Sequence, residues 1–235
     1  MRTYRWLVIA AGALVGVSAC AGRMPPHQQL YAARYGASLV EVARQPATKQ
    51  RYGATTVISP TDSSRYAFED QLVAVRIGTL YNAIRINVRN KSEQSIKLIW
   101  DEASFIDVDG TLSRVMHIGV KYADRNSSQP PTMIPAQQRL ADDIFPTNRV
   151  FFRPASGKLP AAYQNGALLR PTFAGVVVQA GEPVPAAPDS FTTAVHSRVG
   201  HRFAVVIPFE ADGVKNEYTF WFKVDDASVK VLEQP

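Results

Sequence analysis

A single cysteine, Cys20, stands in 235 residues. The chain can close no intrachain disulfide and build no multi-cysteine metal cluster, so its stability must rest on a packed core. Histidine is scarce as well. His27, His117, His196 and His201 show neither the spacing nor the HExxH setting of a zinc site, and the last two read as loop histidines. No serine lies in a GxSxG elbow, because Gly36-Ala37-Ser38-Leu39-Val40 lacks the second glycine. The run Asp107-Val108-Asp109-Gly110-Thr111 opens like a calcium loop but places Ile118 where the twelfth-position glutamate belongs, so a hairpin turn is the better reading. Asp142-Asp143 and Asp225-Asp226 are paired acids whose side chains a strand would point apart. Gly12 and Gly16 make no phosphate loop. The expectation is a chain with no catalytic residue, no metal and no cofactor.

What is present starts at the N-terminus. Arg2 and Arg5 precede an apolar run over residues 6–17, and Val17-Ser18-Ala19-Cys20 closes it. A basic start, an apolar stretch and small residues before a cut compose a secretory signal. Twelve apolar residues fall short of the about 20 that a spanning helix needs. The segment resembles the bacterial lipoprotein signal, whose lipobox is an aliphatic residue, two small residues and cysteine. That resemblance implies cleavage between Ala19 and Cys20, a diacylglyceryl group on the Cys20 thiol, and acylation of the new amino group. Ala21 follows where Gram-negative lipoproteins retained at the inner membrane carry Asp, which leans the location to the outer membrane, facing the periplasm.

The leader holds two of the 26 basic residues and none of the 20 acidic ones, so the mature chain has 24 against 20, a charge of +4. That mild excess suits a neighbour of anionic headgroups or cell-wall polymers and lacks the clustered basic stripe of a nucleic-acid binder. At 46% hydrophobic and 20% charged, the chain can bury a core and is not of a disordered type.

Residues 1–19 are read as the signal peptide and residues 20–52 as the lipidated cysteine, a tether around Pro25-Pro26, and a short helix. The helix is predicted from the spacing of Leu30, Ala33, Ala37 and Val40, which Gly36 interrupts. Residues 53–235 read as a β domain. Val73, Val75 and Ile77 alternate, as do Ile84, Ile86 and Val88 against Arg85, Asn87 and Arg89. A period of two puts the aliphatics on one face. The polar turn at residues 90–93 leads to Ile96, Leu98 and Trp100, which predicts an antiparallel hairpin with the preceding strand. Asp109-Gly110 predicts another. Phe203, Val205, Ile207 and Phe209, then Tyr218, Phe220, Phe222 and Val224, flank a turn at Ala211-Asp212-Gly213 and predict a hairpin forming a main wall of the core.

Residues 154–188 are rich in proline and alanine, with residues 173–179 alone resembling a strand, and read as a long irregular insertion. Seven to nine short strands with little helix point to an antiparallel immunoglobulin-like β-sandwich. Residues 84–117 also resemble the β-sandwich module of poorly characterised envelope lipoproteins, a resemblance that carries no catalytic residues with it. Trp221 is out of phase with Phe220 and Phe222, so it should face away from the core, where it offers a binding surface or lies under the insertion. The function expected is therefore a lipid-anchored, non-catalytic envelope protein with a protein or cell-wall partner. The competing class is a lipid-anchored hydrolase acting on an envelope polymer.

Overall fold

The computed structural model describes residues 27–44, 56–62, 65–157, 159–179 and 182–232. In chain order the strands are β1 (His27–Arg44), β2 (Thr56–Asp62), β3 (Arg65–Glu69), β4 (Val73–Thr79) and β5 (Ile84–Asn90). There follow β6 (Ile96–Leu98), β7 (Ser104–Ile106), β8 (Leu112–His117), β9 (Thr132–Ile134) and β10 (Arg139–Pro146). The last five are β11 (Val150–Arg153), β12 (Ala162–Asn165), β13 (Phe173–Val178), β14 (Arg202–Ala211) and β15 (Val214–Leu232), and the one α-helix among the described residues, α1 (Asp189–His196), precedes β14. The fold is mainly β and antiparallel. One continuous sheet runs β13-β1-β15-β14-β7-β8-β10-β5-β4-β3-β2 and curls into a half-barrel, while β11 and β12 pair apart from it.

The period-two segments lie as their patterns demand. Val73, Val75 and Ile77 of β4 and Ile84, Ile86 and Val88 of β5 are buried, whereas Arg85, Asn87 and Arg89 are exposed. The β14–β15 hairpin buries all eight of its alternating residues and turns through Asp212 and Gly213, both at positive φ. Two successive positive φ values are what a tight two-residue hairpin turn requires. Gly110 likewise has φ +82° in the β7–β8 hairpin. Because the sheet curls, its two halves meet face to face: the Phe68 ring of β3 packs edge-on against Tyr218 (5.7 Å) and Phe220 (5.9 Å) of β15.

A buried charge cluster joins the same two halves. One Asp70 carboxylate oxygen accepts from Arg44 at the end of β1 and from the Tyr218 hydroxyl (2.7 Å). The other accepts the backbone N–H groups of Leu72 (2.8 Å) and Val73 (2.9 Å). Both charged side chains are wholly removed from solvent.

Three expectations are corrected. The helix expected over residues 30–44 is the strand β1, which pairs with β15 over most of its length, and residues 27–29, expected in the tether, open that strand. Its register shifts at Gly36/Ala37 and again at Leu39/Glu41. Each bulge resets the alternation, so the apolar residues lose their period of two and imitate a helical spacing. Gly36 serves close approach instead of interrupting a helix: a Cβ there would lie 2.2 Å from an Asp226 carboxylate oxygen.

The second correction concerns β5 and β6, which do not pair. β5 lies between β4 and β10, whereas β6 pairs with β14 and β9. The connection is an arch between the two halves, held by the buried Asn90 side chain. Its amide donates to the carbonyls of Gln94 (2.6 Å), Ile134 (2.9 Å) and Pro135 (3.1 Å). Its oxygen accepts from the backbone N–H of Ser92 at 2.9 Å. A side chain that takes over the backbone's hydrogen bonding lets the chain leave the sheet without stranding polar groups.

The third correction concerns residues 154–188, which are not wholly irregular. Ala162–Asn165 is a strand that pairs with β11, whereas the strand expected over residues 173–179 is present as Phe173–Val178, at the sheet edge beside β1. Pro185 accepts a hydrogen bond from the Tyr31 hydroxyl at 2.5 Å, and Ala187 packs with Phe191 and Val195 of α1 over the outer side of β1. Part of the segment is thus a cover for the sheet.

Candidate functional site

The half-barrel leaves a seam, because β13 accompanies β1 only as far as Ala32. Beyond that point one edge of β1 is flanked by the segment 166–172 in place of a strand. A cavity of about 540 Å³ opens there, between β1 and the turn joining β4 to β5. Its walls are Ala32, Ala33, Tyr35, Ala37, Leu168 and Leu169, with Phe203 of β14 buried behind them. Tyr81 (58% exposed) and Phe173 (53%) stand at the rim.

The segment 166–172 holds its shape through backbone hydrogen bonds. Gly166 donates its N–H to the Arg149 carbonyl (2.9 Å), Leu168 to that of Tyr81 (2.8 Å), and the Ala33 N–H reaches the Thr172 carbonyl (2.9 Å). The Asn165 amide donates to the Asn82 carbonyl (3.0 Å) and Arg198 Nε to that of Arg170 (3.0 Å). Arg149, anchored by a buried ion pair with Asp107, also donates Nε–H to the Leu168 carbonyl at 3.3 Å. The floor of the cavity is therefore built by the fold, ready before anything enters it.

Polar chemistry at the walls is sparse. The Tyr35 hydroxyl is spent on the Pro171 carbonyl (2.8 Å), and burial pushes its pKa up to about 12 while Arg198 draws it partly back. Burial raises the Tyr81 phenol too, with Arg34 opposing. Arg34 lines the cavity, and among the described residues it makes no ion pair and no Asp or Glu lines the cavity with it. The arrangement can enclose hydrocarbon and offer a cation at its edge.

The buried phenols predict an alkaline limit. Burial, reinforced by the Asp70 carboxylate, also drives Tyr218 far above its ordinary range. A group whose folded pKa exceeds its unfolded value of about 10 contributes stability that is full below that value and is lost as pH climbs towards the folded one. The urea midpoint should therefore fall between about pH 10 and 12, and more shallowly in Tyr218→Phe. An unchanged slope in that variant would remove Tyr218 as a cause.

A second, smaller hollow of about 310 Å³ on β4, β5 and β10 is lined by Arg76, Arg85, Asn87, Asp142 and Asp143. Its acids point apart: Asp143 takes Arg85 bidentately (2.7 and 2.9 Å), and Asp142 faces His117 Nδ1 (3.1 Å) and the Ile118 N–H (3.0 Å). His117 is stacked on Trp100 with ring centroids 4.3 Å apart. Among the described residues no group of three or more His, Cys, Asp or Glu could hold a metal ion.

Ala19 and Cys20 lie outside the described residues. Trp221 sits half-buried on the outer face, between Glu41 and Ala204 in register, with the Arg202 guanidinium 4.8 Å over its ring and Arg202 paired with Glu41 (2.5 Å). It has no part in the cavity. The cavity residues were missed in the sequence, where the one signal was the apolar triplet Ala167-Leu168-Leu169 inside a proline-rich stretch. No family model matches the chain, and neither a curated protein nor a solved structure does.

Proposed function

We propose that the chain is an exported bacterial lipoprotein, anchored through Cys20 and favouring the outer membrane. It works without catalysis, holding an envelope component in the cavity beside β1. The observation that carries this reading is the short distance between the lipobox and the cavity. β1 begins at His27, seven residues after Cys20. Seven extended residues reach at most about 25 Å, so the start of β1 stays within that distance of the anchored cysteine. The cavity begins at Ala32, about 17 Å further along the strand at 3.3 Å per residue. A pocket of this size, mostly apolar and near its membrane, is suited to a small ligand drawn from that membrane.

We also read the architecture as a variant of the immunoglobulin-like β-sandwich of envelope lipoproteins. The facing halves of the curled sheet, with Phe68 against Tyr218 and Phe220, support that assignment. The described residues include no helix long and apolar enough to cross a membrane, and in this reading the lipid supplies the attachment. Two or more acyl chains hold a protein firmly at a bilayer, whereas one holds it marginally. Cells given a fatty-acid probe should label the wild type and leave Cys20→Ser unlabelled. Equal labelling of the two would overturn the anchor.

A further inference from the structure

We infer that the cavity beside β1 is a binding site for a single-chain anionic amphiphile, a free fatty acid or a lysophospholipid, with its chain between Tyr35 and Leu168 and its head at Arg34. The inference rests on the envelope-binding reading above and names its ligand class.

The walls select the chain. Ala32, Ala33, Ala37, Leu168 and Leu169 offer no side-chain donor or acceptor, and the Tyr35 hydroxyl is already bonded to Pro171. Among the described residues, the neutral lining side chains carry free hydroxyls only at Thr79, Thr172 and the rim Tyr81, so most groups of a polar ligand body would lose their water without replacement, at about 1–3 kcal/mol for each unpaired group, whereas methylenes lose nothing. The volume of about 540 Å³ is in the lower half of the range of pockets that enclose one small ligand.

The rim selects the head. Arg34 is exposed, and among the described residues it is free of an ion pair and no acid of the lining competes for it, while Tyr81 and Phe173 stand at the same rim. A guanidinium binds carboxylate and phosphate through two parallel N–H bonds. Aromatic rings with one apolar and one wet side fit the junction of chain and head. The backbone-pinned floor keeps the space open, so little ordering opposes entry.

The test uses the full chain in its own cells. Cells are fed palmitate carrying a mid-chain diazirine and a terminal alkyne, and half of each culture is irradiated. Label on the Cys20 peptide without light reads the anchor. Light-dependent adducts on peptides containing residues 79–81 or 167–173 read the cavity, and the adduct mass identifies the source as free acid, lysophospholipid or diacyl lipid. Single-chain adducts are expected there, falling at least tenfold in Ala167→Trp, which fills the cavity. A fall of at least threefold is expected in Arg34→Glu, an exposed change that leaves the fold and the Cys20 label intact.

Cavity adducts absent while Cys20 is labelled would overturn this inference and leave the anchor standing. An unlabelled Cys20 with cavity adducts present would overturn the anchor and leave the site. Adducts of diacyl mass, or adducts equally strong in Arg34→Glu, would overturn the ligand class.

Discussion

Replacing Asp70 with alanine is expected to lower the unfolding free energy by about 3–5 kcal/mol, the cost of removing one member of a buried ion pair. Asp70 is the acceptor for Arg44, the Tyr218 hydroxyl and two backbone N–H groups, and neither it nor Arg44 has side-chain contact with water. The substitution removes the carboxylate that the guanidinium, the Tyr218 hydroxyl and two amides share where β1, the start of β4 and β15 converge. Asp70→Asn should also be costly, since an amide with its oxygen on the Leu72 and Val73 N–H groups turns its NH2 towards Arg44. The contrasting control is Arg85→Ala. Its bidentate bridge to Asp143 is half exposed on the arginine side, so water replaces the lost partner and the cost should be far smaller than for either Asp70 substitution. Urea unfolding of the detergent-solubilised full chain, followed by tryptophan fluorescence, measures all three. A loss below 1 kcal/mol for Asp70→Ala would show that the cluster is held by packing alone.

Phe220→Ala should cost a similar about 3–5 kcal/mol, for a different reason. Phe220 is fully buried on β15 and packs edge-on against Phe68 from the opposing half of the sheet, with Tyr218 two residues away along its own strand. Truncation removes the transfer free energy of the ring and leaves a void between two halves that are each fixed by their own ladders, so the gap cannot collapse fully. Thr219→Ala, one position along and half-buried on the opposite face, should change stability by less than about 1 kcal/mol. If the two substitutions cost the same, the β14–β15 hairpin would not be the core wall that its burial implies.

These two residues differ in how far the sequence announces them. Phe220 is legible from the alternation of Tyr218, Phe220, Phe222 and Val224, because a strand with one buried face imposes a period of two on its own residues. The same local rule placed β4 and β5, and Asp-Gly and Asp212-Gly213 marked their hairpins because few residues accept positive φ. Asp70 carries no such mark. Its side-chain partners lie 26 and 148 residues away, and nothing in the chain between them reports the meeting.

The sequence by itself determined a mainly β chain, the faces of its regular strands, its tight hairpins and, through residues 1–20, the expectation of an exported lipoprotein. Tertiary structure alone decided that residues 27–44 form a strand, since its two bulges erase the period and pairing with β15 and, at its start, β13 makes it extended. It also decided that β5 and β6 part company, because a two-strand pattern reads the same whether the turn closes a hairpin or arches between sheet halves. The cavity belongs with these. It is a gap between the point where β13 leaves β1 and the β4–β5 turn, lined by residues from six separate stretches of chain. Such a space has no local signature, because it is made by where strands stop pairing.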